Sequence, residues 1–277
     1  SRIPVKEKRL IYENIAEGKT KIIIGTHAVF QEGVTYKDLS LVIYDEQHRF
    51  GVSQRLKLKE KAEDYPHQLL LSATPIPRTM AMGVLSGLDI STIKSLPPNR
   101  TPIITTTLPN NRRDALINRI KSAINKNSQV YWVCPLIDES ESELIGIEDL
   151  EKILKKEFDS QDYEIIHGKM KDMDKQKILS DFKEKKTKIL LATTVIEVGI
   201  DVPDANIMVI ENSERFGLAQ LHQLRGRVGR GEKESFCILM HNDSLTELPE
   251  KRLQIITETN DGFVIAEEDL KLRGPGD

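Results

Sequence analysis

The sequence predicts an α/β protein built from two parallel-sheet lobes, of which the first is truncated at its N-terminus. Short apolar runs rich in β-branched residues alternate with amphipathic stretches along the 277 residues, as in βαβ units whose sheet is covered on both faces. A proline-rich segment, "LPPNRTP", interrupts this alternation. The apolar runs before it are too few for a complete doubly wound sheet, whereas those after it suffice.

The individual elements follow from the length and periodicity of each run. The predicted strands are Lys21–Gly25, Leu41–Tyr44, Gln68–Leu71, Pro102–Thr107, Gln129–Cys134, Tyr163–His167, Lys188–Thr193, Ile207–Ile210 and Phe236–Met240. The predicted helices are Asp114–Asn125, Glu148–Phe158, Lys171–Lys185 and Leu218–Arg225.

The proline-rich segment also sets the predicted domain boundaries, because it can continue neither a helix nor a central strand. We expect a first lobe over residues 1–96, a linker over 97–102 and a second lobe over 103–245. The last stretch, 246–277, changes to a helix, an "NDG" turn and an acidic segment. It is predicted to begin an appended element.

Composition is typical of a globular protein without a strong charge bias. Apolar residues make up 39% and the net charge is −3, so any nucleic-acid binding must depend on local basic patches. No apolar run approaches the roughly 20 residues of a membrane span, and the chain does not begin with a signal-peptide pattern. Its first residue is not Met and its end is turn-rich, which leads us to expect a piece of a longer protein.

The only cysteines, Cys134 and Cys237, lie in apolar runs. We predict that both are buried free thiols rather than a disulfide or a metal pair. Free thiols are typical of a reducing compartment, and the predicted location is cytoplasmic.

Gly18-Lys19-Thr20 looks like the end of a Walker A phosphate-binding loop, but two features argue against one. The full pattern needs a glycine five residues before Gly18, where the chain has Glu13. A phosphate loop also follows a strand and opens a helix, whereas here a helix-like stretch comes first and an apolar run follows. Gly18 is therefore predicted to be a helix C-cap, and the sequence contains no Walker A loop.

One predicted strand ends in the polar run Asp45, Glu46, Gln47 and His48. Ligands of open parallel sheets bind beyond the carboxyl ends of strands. An Asp there can hold Mg²⁺ bound to nucleoside phosphates, while a neighbouring Glu can activate a water molecule. A charged loop after an edge strand is the alternative.

Two further polar segments follow predicted strands or helices. Ser72 and Thr74 lie in "LLLSATPIPRT", where they could hydrogen-bond the acidic run; a simple Ser/Thr-rich turn is the alternative. Arg225, Arg227 and Arg230 lie in "QLRGRVGRG". Glycine lets the backbone approach a ligand closely, and arginine meets phosphate oxygens as a fork; a basic surface turn is the alternative.

Together these motifs carry a family resemblance. "DEQH", "SATPIPRT", "TTVIEVGIDVP" and "QLHQLRGRVGRG" resemble motifs II, III, V and VI of superfamily 2 helicases, and "GTHAVFQE" resembles a DNA-contacting segment of that superfamily. "DEQHRFGVSQR", "YWVCPLIDESE", "FGLAQLHQLRGRVGRG" and "NDGFVIAEEDLKLRGPGD" are similar to the RecG family of branched-DNA helicases. The transcription–repair coupling translocases share much of this pattern, but Gln47 favours RecG over them.

The resemblance implies two RecA-like lobes, the start of a C-terminal helical hairpin, and a role for each site residue. The implied catalytic residues are Asp45, Glu46, Gln47, His48, Arg227 and Arg230, with Asp45 and Glu46 holding magnesium through ATP. The implied ATP-binding or coupling residues are Ser72, Ala73, Thr74, Gly199, Asp201, Gln223 and Arg225. The implied DNA contacts are Thr26, His27, His167, Gly168, Thr193 and Thr194.

The implied function is that of a motor fragment from an ATP-dependent DNA helicase. Its expected cofactors are ATP and Mg²⁺, and its expected partners are branched or duplex DNA and a single-stranded DNA-binding protein, acting as a monomer. Such a fragment would lack the wedge domain of the family as well as the Walker A loop. A transcription–repair coupling motor and a non-hydrolysing helicase-like scaffold remain alternatives.

Overall fold

The computed structural model describes residues 3–31, 33–46, 61, 66–72, 89–93, 95, 101–135, 143–193, 202–231 and 233–273. The chain divides into two compact units, Ser1–Ala73 and Thr74–Asp277. Each contains a parallel sheet together with helices, so the predicted α/β class is confirmed. The predicted domain boundaries stay predictions, and residues 96–100 at the predicted linker lie outside the described part of the chain.

The first unit contains a helix, a 3₁₀ turn and a two-stranded parallel sheet. Its elements are helix α1 Val5–Ala16, the 3₁₀ turn His27–Phe30, strand β1 Leu41–Tyr44 and strand β2 His67–Leu70. Val42 and Tyr44 face inward and pack with Phe30, whose ring centroid lies 6.4 Å from that of Tyr44. The strand predicted at Leu41–Tyr44 is confirmed, and the next one is confirmed with slightly shifted ends.

A third strand was predicted for this unit at Lys21–Gly25, and that prediction is wrong. Within the described residues the segment pairs with no strand, and Ile22 and Ile24 are 81% and 95% exposed. Branched side chains favour a strand mainly through packing against neighbours. No described neighbour covers these two, so the apolar pattern alone does not produce a strand.

Helix α1 ends as predicted for Gly18. The residue has a φ of 74°, and the N–H groups of Gly18 and Lys19 donate to the carbonyls of Ile15 and Asn14, each at 3.0 Å. This is the Schellman pattern, in which a left-handed residue satisfies the last carbonyls of a helix. The predicted C-cap is therefore confirmed.

The second unit is built on a six-stranded sheet whose strands all pair in parallel, in the order β3-β8-β7-β4-β6-β5. The strands are β3 Ile104–Pro109, β4 Gln129–Cys134, β5 Tyr163–Ile166, β6 Ile189–Thr193, β7 Ala205–Ile210 and β8 Phe236–His241. The helices are α2 Arg113–Ile124, α3 Glu143–Glu157, α4 Asp172–Lys183, α5 Leu218–Arg225, α6 Glu247–Glu258 and α7 Gly262–Arg273. The strands and helices predicted for this region are confirmed, apart from shifts at their ends.

This larger sheet is buried on both faces, as its continuous apolar strands predict. Every residue of β4, β6 and β7 is buried. On one face of the sheet, Trp132 packs with Leu154 and other apolar side chains of α2 and α3. On the other face, the strands pack against Phe182 of α4 and Leu221 of α5. Burial of one such large apolar side chain contributes about 1.5–3 kcal/mol, so the two layers hold the strand ends in fixed positions.

The C-terminal stretch forms a helical hairpin, α6 and α7, that packs within the second unit. Leu253 and Ile256 of α6 and Ile265 of α7 join the core cluster around α5. The carboxylate of Asp261 accepts the Phe263 N–H at 2.8 Å and so caps α7. The predicted helix, turn and acidic segment are confirmed as this hairpin.

Both cysteines are free and buried, as predicted. Burial raises the pKa of Cys237 to about 12 and also raises the pKa of Cys134. Among the described residues, no helix is long and apolar enough to cross a membrane, and no group of His, Cys, Asp and Glu side chains is arranged to hold a metal ion.

Candidate functional site

Predicted site residues meet at the carboxyl edge of the two-stranded sheet. Strands β1 and β2 pair in parallel with Tyr44 opposite Leu70. Asp45 and Glu46 therefore leave β1 beside Ser72, which follows β2. Asp45 is exposed, Glu46 is half-buried and Ser72 is exposed. The structure thus brings two carboxylates and a hydroxyl to one edge of the sheet.

Glu46 lies at a sharp bend, with a left-handed φ of 54°. Residues other than glycine rarely take this conformation, and such outliers concentrate at functional sites. The bend therefore lies at the second residue of the acidic pair and fixes the direction in which the chain leaves β1. The predicted partners Gln47, His48, Ala73 and Thr74 lie outside the described residues, so their roles stay predictions.

Thr26 and His27 begin the 3₁₀ turn of the first unit. The Thr26 carbonyl accepts the Val29 N–H at 3.1 Å, and the Tyr36 hydroxyl donates to the Val29 carbonyl at 2.8 Å. The exposed Thr26 side chain therefore sits on a turn that its own contacts hold in shape. The side chain of His27 lies outside the described part of the structure.

In the second unit, helix α5 and the loop after it carry the predicted arginine fingers. The helix ends at Arg225, so Arg227 and Arg230 belong to the loop, where Arg227 is half-buried and Arg230 is exposed. Gln223 lies half-buried on the last turn of the helix. Both loop arginines therefore reach the surface of this unit, and the side chain of Arg230 is the more exposed of the two.

Glycines hold this loop close to the rest of the unit. Gly229 has a φ of 76°, and a Cβ there would lie 2.9 Å from the Ile103 side chain. A Cβ at Gly231 would lie 2.4 Å from the Pro203 carbonyl oxygen. The sequence suggested that the glycines let a ligand approach, but the close neighbour of both is the protein itself.

Arg225 behaves differently from the other two arginines. It is 2% exposed, and its Nη1 donates to the carbonyls of Ile256 at 2.7 Å and Thr259 at 2.9 Å, at the end of α6. A cation suits this position because the last carbonyls of a helix carry partial negative charge. Arg225 thus ties α5 to the hairpin. Its burial leaves no side-chain surface for the nucleotide contact predicted for it, and its coupling role stays a prediction.

His222 completes the buried network around Arg225. Its Nδ1 lies 3.0 Å from Arg225 Nη2, and because arginine has no acceptor, this nitrogen must accept the hydrogen bond. Burial lowers the pKa of His222 to about 4, Arg225 acts in the same direction, and Asp261 opposes both. His222 is therefore neutral at neutral pH, with its proton on Nε2.

The loop after β5 holds the predicted DNA contacts His167 and Gly168. Lys175 of α4 donates to the Gly168 carbonyl at 2.6 Å and so braces the loop. Gly168 is exposed, whereas His167 Nδ1 is buried and has no hydrogen-bond partner among the described contacts. None of the predicted site residues includes Lys175, although its place one turn into the helix after the loop is a usable signal.

Thr193 is the last residue of β6 and pairs with Cys134 of β4. It is 0% exposed, and its Oγ1 has no hydrogen-bond partner among the described contacts. A buried hydroxyl without a partner costs free energy and calls for an explanation. The neighbouring site residues Thr194, Gly199 and Asp201 lie outside the described part of the chain.

A buried ion pair that no motif indicates lies at the carboxyl edge of the larger sheet. Arg113, at the start of α2, donates to both carboxylate oxygens of Glu211, at 2.5 and 2.8 Å, and Trp132 Nε1 donates to the same carboxylate at 2.9 Å. Burial lowers the pKa of Arg113, but the hydrogen bond and charge of Glu211 outweigh it, so the pKa is raised. A carboxylate directly after an apolar run, as at Asp45, was the signal.

Comparison with known proteins places these motifs in a family. The DEAD/DEAH box helicase model matches residues 3–82, and the helicase conserved C-terminal domain model matches residues 105–232. The ATP-dependent DNA helicase RecG of Pasteurella multocida is 51% identical over 281 residues, which covers 100% of this chain and 40% of that protein. The chain belongs to the RecG family. The RecG of Escherichia coli strain K12 is also 51% identical, over 96% of this chain and 39% of its own length.

A solved RecG structure agrees with the sequence match. The structure of RecG bound to a three-way DNA junction aligns with a TM-score of 0.77 and 42% identity, over 99% of this chain and 35% of that one. The chain spans about 40% of the length of the curated RecG proteins that it matches. The RecG resemblance and the two RecA-like helicase domains predicted from the motifs are confirmed.

Proposed function

We propose that this chain is the motor segment of an ATP-dependent RecG helicase that translocates on duplex DNA, remodels stalled replication forks and branch-migrates Holliday junctions in repair and recombination. The observation that carries the proposal is the 51% identity, along the whole chain, to a protein named ATP-dependent DNA helicase RecG. The relative bound to a three-way DNA junction supports branched DNA as the partner. The site geometry supports it too, because the motif residues follow strands where ligands of parallel sheets bind.

Asp45 and Glu46 are the residues proposed to hold the magnesium ion of Mg-ATP. Carboxylate oxygens are the ligands that Mg²⁺ prefers, and this pair directly follows β1 at an edge where Asp45 is exposed. When bound, the magnesium nucleotide supplies the phosphoryl group whose hydrolysis drives the motor. Glu46 is proposed to orient and deprotonate the attacking water. Ser72 beside it is proposed to hydrogen-bond the acidic run and so to respond to whether nucleotide is bound there.

Arg227 and Arg230 are the proposed arginine fingers, supported by Gln223. Arginine stays charged and binds phosphate oxygens in a fork, and such fingers contribute about 10³–10⁵ in rate. The loop is suited to this because the close packing of Gly229 and Gly231 restrains its backbone, while Arg230 remains exposed. A restrained backbone lowers the cost of holding a charged side chain in one productive geometry.

Thr26 in the first unit and His167 and Gly168 in the second are the proposed DNA contacts, whereas the burial of the Thr193 side chain leaves no surface for the contact predicted for it. Side-chain hydroxyls and exposed backbone groups are common partners of phosphate oxygens. Thr26 and Gly168 have the exposure that such contacts need. Contacts of this kind set the position of DNA without reading its sequence, which suits a translocating motor.

The hairpin is proposed to move with the arginine fingers. Arg225 closes α5 and binds the carbonyls at the end of α6, while Arg252 of α6 donates to the Phe216 carbonyl just before α5, at 3.0 Å. Helix α5 is therefore attached to the hairpin near both of its ends. A displacement of the finger loop would be transmitted to α6 and α7 rather than absorbed between them.

We further propose a monomeric protein that acts in the cytoplasm. Its free, buried cysteines support a reducing compartment. A single-stranded DNA-binding protein is a proposed partner, because remodelled forks expose single strands.

The decisive experiment measures ATP turnover by a full-length RecG protein containing this sequence, with fork, duplex and single-stranded DNA. We expect DNA to stimulate turnover, with branched substrates most effective. Glu46→Gln should retain ATP binding and lose turnover, whereas the exposed Glu7→Gln on α1 should behave like the parent. Near-normal turnover by Glu46→Gln would remove the water-activating role. The 277-residue chain alone should hydrolyse ATP negligibly, since its sequence contains no Walker A loop.

A further inference from the structure

An open groove of about 470 Å³ runs along one face of helix α1. The helix contributes a stripe of side chains at helical spacing, and the segment after the 3₁₀ turn forms the opposite wall. The lining residues are Val5, Lys8, Arg9, Tyr12, Glu13, Ala16, Gly33 and Thr35. None of them belongs to the motifs described above.

Two cations lie along one side of this groove. Lys8 Nζ lies 5.3 Å from the centre of the Tyr12 ring and 3.4 Å from Gln31 Oε1. Arg9 is largely exposed, and its Nε lies 3.1 Å from the Glu13 carboxylate. The lining residues therefore carry two positive charges against the one negative charge of Glu13, next to the Tyr12 ring and the small apolar side chains of Val5 and Ala16. Lysine and arginine on such a rim are the side chains that most often bind DNA phosphates.

The opposite wall of the groove is held in place by hydrogen bonds and leaves its main chain accessible to a ligand. Lys61 Nζ donates to the carbonyls of Gln31 at 2.5 Å and Val34 at 2.7 Å, which holds the segment in place. At Gly33, no heavy atom of the described residues, apart from the glycine and its two chain neighbours, lies within 4 Å of the position that a Cβ would occupy. A ligand can therefore approach the main chain of this wall closely.

The same wall is continuous with a proposed DNA contact. Thr26 is the residue before the 3₁₀ turn His27–Phe30, and Gly33 of the groove wall follows the end of that turn by three residues. We propose that the groove along α1 binds the sugar–phosphate backbone of one DNA strand, with Lys8 and Arg9 on its phosphates. This extends the DNA path of the first unit beyond Thr26, and it rests on the proposed helicase function.

The charge pattern makes a signed prediction within the groove. Glu13 neutralises part of the charge of Arg9 and repels an incoming phosphate. Glu13→Gln should therefore tighten DNA binding, while Lys8→Ala and Arg9→Ala should weaken it. A groove that serves only to pack α1 gives none of these opposite effects.

The test measures the affinity of a full-length RecG protein containing this sequence for fluorescein-labelled duplex DNA, by anisotropy without nucleotide, across a series of salt concentrations. Each lost phosphate contact should make the negative slope of log affinity against log salt shallower by about 0.9. At 0.1 M salt this is about an 8-fold loss of affinity. The control is Lys19→Ala, which replaces an exposed lysine three residues beyond the end of α1; it should keep the parent slope.

Several outcomes would decide between the alternatives. If Lys8→Ala/Arg9→Ala keeps the parent slope and affinity, the groove is not part of the DNA path, and an acidic peptide becomes the occupant to test. Unchanged melting temperatures in all variants would exclude misfolding as the cause of a loss. If the parent itself fails to bind DNA, the proposed helicase function fails. If the parent binds DNA and the groove variants bind it equally well, this inference alone fails.

Discussion

Replacing Arg113 by alanine should destabilise the second unit strongly, even though the residue is far in sequence from every motif. The side chain of Glu211 is 4% exposed and that of Arg113 is 21% exposed. After the replacement, the Glu211 carboxylate would keep only the Trp132 N–H as a described side-chain partner. Removing one member of a buried pair costs about 3–5 kcal/mol because the other charge is left uncompensated. The partial exposure of Arg113 places this site at the lower end, near 3 kcal/mol.

The chain contains its own reporter for this measurement. Trp132 is the only tryptophan, it is 0% exposed, and it lies in the second unit. Its fluorescence during urea unfolding therefore follows that unit alone. With an m-value of about 2 kcal/mol/M, a loss of about 3 kcal/mol lowers the urea midpoint by about 1.5 M.

Two comparisons separate a buried charge from a general loss of contacts. Lys152→Ala removes an ion pair with Asp149 in which both side chains are exposed, and it should leave the urea midpoint unchanged. Combining Arg113→Ala with Glu211→Gln should be less destabilising than Arg113→Ala alone, because no buried charge remains without its partner. Simple addition of the two single effects would refute the reasoning.

Three further predictions concern other parts of the second unit. Gly231→Ala should lower the urea midpoint because its Cβ would lie 2.4 Å from a backbone oxygen, whereas Gly226→Ala, whose nearest contact is 3.4 Å, should be tolerated. The pKa of His222 is lowered to about 4 by burial against about 6.5 when unfolded, so the unfolded chain binds the proton first and stability should fall from pH 7 to pH 4. His222→Asn should flatten that decline, measured as urea midpoints against pH; an unchanged profile would contradict the assignment. Cys134 and Cys237, whose thiol pKa values are raised by burial, should react with a thiol reagent at pH 8 only after unfolding; rapid reaction of the folded chain would count against this.

The larger sheet could be predicted from sequence because its strands are buried on both faces. Continuous apolar runs such as Gln129–Cys134 then carry the signal without help from neighbours. The first unit is different, since the part of it that the structure describes has a sheet of two strands and one face of β1 is exposed. Lys21–Gly25 has the same apolar pattern as a buried strand, but a strand also needs a hydrogen-bonding neighbour, which a local pattern cannot supply.

The candidate site was predictable where it depends on strand ends. The rule that ligands bind beyond carboxyl ends of parallel strands located Asp45, and the observed pairing of β1 with β2 brought Ser72 beside it. The place of Glu211 at a strand end was predictable in the same way, but its pairing with Arg113 was not, because the two residues are 98 positions apart. That contact depends on the spatial order of the strands, which the sequence of any one strand does not contain.

The arginines of "QLRGRVGRG" show how a motif can hide two different roles. Helix α5 buries Leu218, Leu221 and Leu224, and Arg225 follows Leu218 by seven residues and Leu221 by four, so it lies on the same inward stripe. Arg227 and Arg230 come after the helix has ended and escape that periodicity. Helical spacing, applied within the motif, therefore separates the arginine that binds the hairpin from the two loop arginines that are proposed as arginine fingers. In a full-length RecG protein containing this sequence, Arg225→Lys should then uncouple ATP turnover from DNA unwinding, whereas Arg230→Lys should reduce turnover itself. Equal loss of both activities in both variants would show that the separation is wrong.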